Sequence, residues 1–300
     1  MKAGMTVNKY PNTIGVHALV WTGQVDADSL GAAARQSKAA GYDLLELSLH
    51  DIEEMDFAAS RAAFAEAGVE IACSRGLAHD ADVSSEDPAI VDRGVGLLVE
   101  SIEATAAMGG TILTGALYSA FGKAAQPLSA KGRENIVSAL RTVAEHAVGF
   151  GVTLGLEVCN RYETNVLNTA RQAIALADDI DADNIMIHLD SYHMNIEEPN
   201  QVRPILEAGD RLGYIHIGEN NRGFLGSGII DFATHFWALQ QIGYEGPITF
   251  ESFSSAIVSK SLSNDLAIWR NLWDDNVQLA TLARYFIDNG LVAAATAALR

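Results

Sequence analysis

The sequence predicts an α/β protein, a single (β/α)8 TIM-barrel domain over residues 1–300, and three observations predict it. Eight short β-like runs alternate with helical patterns, and several are apolar throughout, as strands covered on both faces of a parallel sheet should be. Glycine stands just before a new run in Ala40-Gly41-Tyr42, Ala67-Gly68-Val69, Phe150-Gly151-Val152 and Ile242-Gly243-Tyr244, where it ends a helix in the left-handed conformation at little cost. Four successive runs in the second half end on a metal-competent side chain, at intervals of 33, 26 and 35 residues, the period of a β/α unit. One barrel with short extensions fits the length.

Taken in order, the stretch from Met1 to Asn12 lacks the continuous apolar segment of a secretory leader. The first run is Ile14 to Leu19, and two glycine-ended helical segments carry the chain to Leu44–Leu49 and Val69–Ser74. Val91, Val95, Leu98 and Ile102 form one apolar stripe of a helix before the fourth run, Thr111 to Leu117. Ile136, Leu140, Val143 and Ala147 repeat that spacing before the fifth, Val152 to Val158. Ile185–Asp190, Gly213–Ile217 and Pro247–Ser252 complete the eight. Leu266 to Ile287, with Trp269, Trp273 and Phe286, is expected to be the last barrel helix, opening a C-terminal helical extension over about residues 264–300. No Pro/Ser-rich linker divides the chain.

Half the residues are apolar, which excludes a disordered chain, and the formal charge of −18 disfavours nucleic acid and anionic membranes as partners. Neutral small molecules, cations and other copies of the chain remain, and Trp269 and Trp273 are candidates for a dimer face. Cys73 and Cys159 read as reduced thiols, and no window approaches the roughly 18 apolar residues of a spanning helix, so the expected location is the cytoplasm.

Catalytic groups of such barrels sit at the C-terminal ends of the strands, where Glu157, Asp190, His216 and Glu251 end runs five to eight. Three carboxylates and one imidazole suit a hard divalent ion, Mn²⁺, Co²⁺ or Mg²⁺, one per subunit. Asn160, Arg161, Glu163, Asn165, His193, Glu219, Asn220 and Arg222 follow the same runs and are expected to stand over the metal, as a polyhydroxylated ligand requires. His188, two residues before Asp190, shares its side of the strand and reads as a packed or supporting residue rather than a ligand. Cys159 reads as a buried small hydrophobe, and Gly223–Gly228, lacking the lysine of a P-loop, as a flexible loop.

The stretches Leu156-Glu157-Val158-Cys159-Asn160-Arg161-Tyr162-Glu163-Thr164-Asn165, Leu189-Asp190-Ser191-Tyr192-His193-Met194-Asn195-Ile196-Glu197-Glu198 and His216-Ile217-Gly218-Glu219-Asn220-Asn221-Arg222-Gly223 closely resemble the ketose 3-epimerases. These are the D-tagatose 3-epimerase and D-allulose (D-psicose) 3-epimerase group of the xylose-isomerase-like barrel superfamily. The resemblance covers nearly the whole chain. It implies that Glu157, Asp190, His216 and Glu251 hold Mn²⁺ or Co²⁺, that Glu157 and Glu251 are the catalytic pair, and that Glu163, His193 and Arg222 contact the sugar near its reacting end. It also implies a homodimer or homotetramer. His188, where many members are apolar, and Ala116-Leu117-Tyr118 depart from the pattern in the core and outer pocket.

The reaction so implied inverts C3 of a free ketohexose, D-fructose/D-allulose first and D-tagatose/D-sorbose next, through a cis-enediolate. One glutamate removes the proton α to the carbonyl and the other returns one to the opposite face. Each is expected to bind the metal through one oxygen only. The alternative is an isomerase, racemase or dehydratase of the same superfamily acting on a tetrulose, an inosose or a sugar phosphate. No Lys/Arg cluster marks a phosphate site near these motifs.

Overall fold

The computed structural model describes residues 10–258, 263–264 and 267–297. Eight parallel strands close into a barrel in sequence order: β1 Ile14–His17, β2 Leu44–Ser48, β3 Glu70–Ser74, β4 Ile112–Thr114, β5 Thr153–Val158, β6 Ile185–Asp190, β7 Leu212–Ile217 and β8 Ile248–Phe250. Each falls within a residue or a few of its expected run. The fourth is cut short because Gly115, at φ 110°, turns the chain out of the sheet against the backbone of Arg75.

Helices α1 Ala27–Ala39, α2 Phe57–Ala67, α3 Pro88–Ala107, α4 Ala130–Phe150 and α5 Ala170–Ile180 fill the crossovers of the first half. Short α6 Ser191–Glu197 and α7 Arg203–Ala208, then α8 Phe232–Gln241, follow β6 and β7. Local chemistry starts these helices where the sequence says it should. The carboxylates of Asp26, Asp56, Asp87 and Asp231 and the hydroxyl of Ser129 accept first-turn N–H groups, and Thr169 with Gln172 forms a capping box. Ile136, Leu140, Val143 and Ala147 are fully buried, as their stripe requires.

The C-terminal segment differs from expectation. Residues 267–275 are turn and coil, and the last helix spans Asn276–Ala297; Leu266 lies outside the described residues. Instead of standing on an outer helical face, Trp273 is buried and donates its indole N–H to Ser252 Oγ (2.8 Å). Trp269 is 72% exposed at the mouth of the barrel cavity. Tyr42, donating to the carbonyl of Ala280 (2.7 Å), ties the last helix to the wall of the barrel.

Alternation along each strand divides the chain into an outer apolar shell and a barrel interior. Val16, Leu45, Leu47, Leu154, Leu156, Ile187, Leu189, Ile215 and Ile217 pack against the helices, while Leu44, Ala72 and Tyr214, with Ile112 and Met186, form the floor inside. Above that floor the interior turns polar, and the polar layers carry the site.

Candidate active site

Parallel register places the site residues side by side: His17 pairs with Glu46, Glu157 with His188, and Asp190 with His216. A register shift in β6 between Ile187 and His188 brings Asp190 level with His216. Gly155, two residues before Glu157, leaves the space that the Thr114 side chain fills, since a Cβ there would collide with the Thr114 hydroxyl.

The lower polar layer fixes the upper one. Thr114 donates to the carbonyl of Gly155 (3.1 Å) and so accepts from His188 Nδ1 (2.7 Å). The His188 ring meets that of His216 edge-on, 4.2 Å between centroids, and burial keeps it neutral. Glu46, buried in the middle of β2, accepts from Tyr214 (2.9 Å) and from His216 Nε2 (2.7 Å), and Thr249 in turn donates to Tyr214 (2.7 Å). With its Nε2 proton committed to Glu46, His216 turns Nδ1 upward, 3.5 Å from both Glu157 Oε1 and Glu251 Oε1.

Asp190 divides its two oxygens between tasks. Oδ1 caps α6 by accepting the N–H of Tyr192 (2.7 Å), while buried Oδ2 makes no hydrogen bond and lies 2.9 Å from Arg222 Nη1. Ligand atoms of Asp190, His216 and Glu251 lie within 4.8 Å of one another, and Glu157 and His188 share such a group with His216.

Among the described residues, Asp190 Oδ2, His216 Nδ1 and Glu251 Oε2 are all buried and make no hydrogen bond, and the two oxygens share a single guanidinium nitrogen, Nη1 of Arg222, as their ion-pair partner. One shared cation is thin compensation for two buried carboxylates, and a set of two carboxylate oxygens and an imidazole nitrogen is what a hard divalent ion replaces water with. Charge agrees in sign: the carboxylates of Glu157, Asp190 and Glu251 face the single positive charge of Arg222, so the site favours a further cation. The donor set therefore fits a divalent metal.

Arg222 enters the site by backbone strain. It adopts φ 58° in a turn held by its N–H to the carbonyl of Glu219 (2.9 Å) and by Ser252 Oγ donating to its own carbonyl (2.5 Å). The guanidinium then points inward, 2.9 Å from Asp190 Oδ2 and 2.6 Å from Glu251 Oε2, with Tyr192 stacked 3.9 Å below it. Burial works against its charge, but Asp190 and Glu251 outweigh it and hold the guanidinium above its ordinary value.

The two glutamates differ in environment. Burial pushes Glu157 up to about 7, whereas at Glu251 burial is overcome by Arg222 and His216, which hold it well below the usual carboxylate range. Burial also raises Glu163 to about 7 and Asp190 to about 6.

His193, in α6, accepts from the backbone N–H of Asn160 (3.1 Å) and lies 2.9 Å from the Asn160 amide. Its Nδ1 is thus an acceptor, and its proton sits on Nε2, aimed between Asp190 (3.6 Å), Glu163 (3.7 Å) and Glu157 (3.8 Å). The Asn160 amide also donates to Glu163 (2.7 Å), so one asparagine orients both residues.

Other residues expected over the metal lie elsewhere. Arg161 is largely exposed and paired with Glu197 (2.6 Å), and Asn165 donates to the carbonyl of Gln126 (2.8 Å). Glu219 is buried beneath its own loop, accepting from Asn220 (3.0 Å), Gly226 (2.9 Å) and Ile230 (3.3 Å). That carboxylate organises Gly223–Gly228, so these glycines form a tied turn rather than a free loop.

A xylose isomerase-like TIM barrel model matches residues 34–277. The chain belongs to that family. The xylose isomerase-like barrels it most resembles include a ketose 3-epimerase of Arthrobacter globiformis, 47% identical across 94% of this chain and 98% of the relative. An L-ribulose 3-epimerase of Methylomonas sp. strain DH-1 is also 47% identical, across 91% and 96%. A crystal structure of D-allulose 3-epimerase from Methylomonas sp. in complex with D-allulose superimposes with a TM-score of 0.91 at 46% identity, covering 93% of this chain and 96% of that one. Within the family the chain is thus a carbohydrate epimerase of the isomerase class.

Glu46 is the residue that reading for strand ends passes over, because it lies mid-strand; its signal is one acid inside Leu44-Leu45-Glu46-Leu47, which must be paired to be buried. Replacing Glu46 by Gln keeps the shape and weakens the hold on His216. Mn²⁺ affinity, measured by titration calorimetry, is expected to fall about 10- to 100-fold, and unchanged affinity would remove Glu46 from this role.

Proposed function

We propose that this protein is a metal-dependent 3-epimerase of free ketohexoses, interconverting D-fructose and D-allulose and, with them, D-tagatose and D-sorbose. The observation that carries the reading is the pair Glu157 and Glu251, reaching from β5 and from the end of β8 to within 3.5 Å of one atom, His216 Nδ1. Binding alone does not call for two carboxylates about one point. Inversion of a carbon does.

A divalent ion, Mn²⁺ or else Co²⁺ or Mg²⁺, one per subunit on Glu157, Asp190, His216 and Glu251, would supply Lewis-acid polarisation of the ketose carbonyl. In the inversion, one glutamate takes the C3 proton, and the C3–H electrons move into a C2–C3 double bond as O2 gains charge. The product of that step is the cis-enediolate. The second glutamate, carrying a proton, delivers it to the other face of C3 as the carbonyl re-forms. After one turnover the two carboxyl groups have exchanged protonation states, and solvent resets them. Which acts first depends on the configuration of the sugar.

Around that exchange, Arg222 holds the O1/O2 end of the sugar and offsets the charge developing there. His193 offers its fixed Nε2–H to a substrate oxygen, and Glu163 accepts from a hydroxyl. Copies associate as a homodimer or homotetramer, a reading supported by exposed Trp237, Leu282 and Tyr285 on α8 and the last helix. The buried, unpaired Cys73 and Cys159 suit the cytoplasm.

Purified protein incubated with Mn²⁺ and D-fructose is expected to yield D-allulose, and exhaustive chelation to abolish turnover until Mn²⁺ is restored. Conversion of an inosose or a tetrulose without epimerisation of any ketohexose would overturn this reading.

A further inference from the structure

The cavity that holds Glu157, Glu251 and Arg222 has a volume of about 500 Å³ and runs across the barrel to the ends of β2 and β3. The metal-side residues come from β5 to β8, so the opposite rim receives whatever part of a substrate extends away from the reacting carbons. That rim carries Arg75, the first residue after β3. Its backbone is pinned, the N–H donating to the carbonyl of Thr114 (2.9 Å) and the positive-φ Gly115 packing against it, so the side chain starts from a fixed place.

Its head is not satisfied within the protein. Nε and Nη1 of Arg75 are buried without a hydrogen-bond partner, and among the described residues no carboxylate forms an ion pair with it. Asp51, Glu53 and Glu100 act on it only from a distance. Arg270, from the coil before the last helix, and His79 also line the cavity. A half-buried guanidinium with two unpartnered nitrogens is costly, and the fork it presents matches a phosphate or carboxylate better than a neutral hydroxyl.

We infer that Arg75, assisted by Arg270, receives an anionic group at the distal end of the sugar, so that the protein also epimerises acidic ketoses at C3. The chemical class is a ketohexose bearing a phosphate or a carboxylate at C6. This rests on the C3-epimerase reading and adds to it a second fixed point. With Arg222 and the acidic cluster at one end and Arg75 at the other, an acidic ketose is held at both ends and its chain is drawn straight across the barrel. A neutral ketohexose makes only the first set of charged contacts.

The test compares kcat/KM for D-fructose, D-fructose 6-phosphate and D-fructuronate on Mn²⁺-loaded native protein, Arg75→Met, Arg75→Lys and the exposed-site variant Arg270→Ala. The expected result is a ratio of acidic to neutral kcat/KM above 1 in the native protein, falling about 10- to 100-fold in Arg75→Met and less in Arg75→Lys. A merely structural role for Arg75 would lower all three substrates together and leave the ratio unmoved. Should Arg75→Met not fold, the smaller fall in Arg75→Lys and Arg270→Ala carries the same comparison. The phosphate and carboxylate arms show which anion is preferred. A native ratio at or below 1 in both arms, or a ratio indifferent to Arg75, overturns the inference while D-fructose turnover leaves the epimerase reading standing. If none of the three is epimerised, that reading falls, and this one with it.

Discussion

Replacing Glu157 or Glu251 by glutamine is expected to cut kcat for C3 epimerisation about 10³- to 10⁴-fold at saturating Mn²⁺, the upper part of what a positioned acid or base contributes. The two are not interchangeable with the other acid of the site. Asp190 spends Oδ1 on capping α6 and has one oxygen left, so Asp190→Asn is a ligand lesion that added Mn²⁺ offsets. Glutamine at 157 or 251 keeps an oxygen for the metal but cannot accept the C3 proton, and no metal concentration restores that. The double variant is expected to be scarcely worse than either single one, because inversion needs both groups and residues that act as a unit are not additive. Activity of Glu157→Gln within tenfold of native at saturating Mn²⁺ would rule out the paired-carboxylate account.

Arg222→Met is expected to produce the largest loss of stability. The guanidinium lies 2.9 Å from Asp190 and 2.6 Å from Glu251, stacked on Tyr192, and methionine leaves two carboxylates facing each other in a low-dielectric site. Removing one partner of a buried ion pair costs about 3–5 kcal/mol. In the metal-free protein this should lower Tm by on the order of 5–10 °C. Mn²⁺ brings positive charge to the same carboxylates and should recover part of the loss, which thermal melts with and without the ion would show. A variant melting with the native protein in metal-free buffer would mean that these carboxylates do not depend on Arg222.

The barrel is legible in the sequence because each of its rules is local. Gly41, Gly68, Gly151 and Gly243 all adopt the positive φ that their position before a strand implies, and the apolar runs become strands within a few residues. Strand ends are the next most legible feature, since Glu157, Asp190 and His216 need only the period of the unit and closure of the sheet to converge. His188 sits below them against Thr114 and His216, as its two-residue offset from Asp190 suggests.

What escapes is what depends on loops and on contacts across the barrel. Asn160, Arg161, Glu163 and Asn165 occupy six residues, yet only Asn160 and Glu163 turn inward, because Arg161 finds Glu197 and Asn165 finds Gln126. Glu219 and Arg222 share one turn and part company, one folded under its loop and the other swung inward by a left-handed backbone. Glu46 meets its partners, Tyr214 and His216, some 170 residues away in sequence, a pairing that no local pattern expresses. Trp273 is misread for the same reason: its indole has a specific acceptor in Ser252, beside Glu251.

The central claim is that one glutamate removes the C3 proton and another returns a solvent-derived one to the opposite face. The most direct measurement is proton and carbon NMR of D-fructose incubated with Mn²⁺-loaded protein in D₂O. The account predicts D-allulose with deuterium at C3 from the first turnovers and gradual loss of the C3 proton from the D-fructose pool. D-Allulose that retains the original proton at C3 would contradict it.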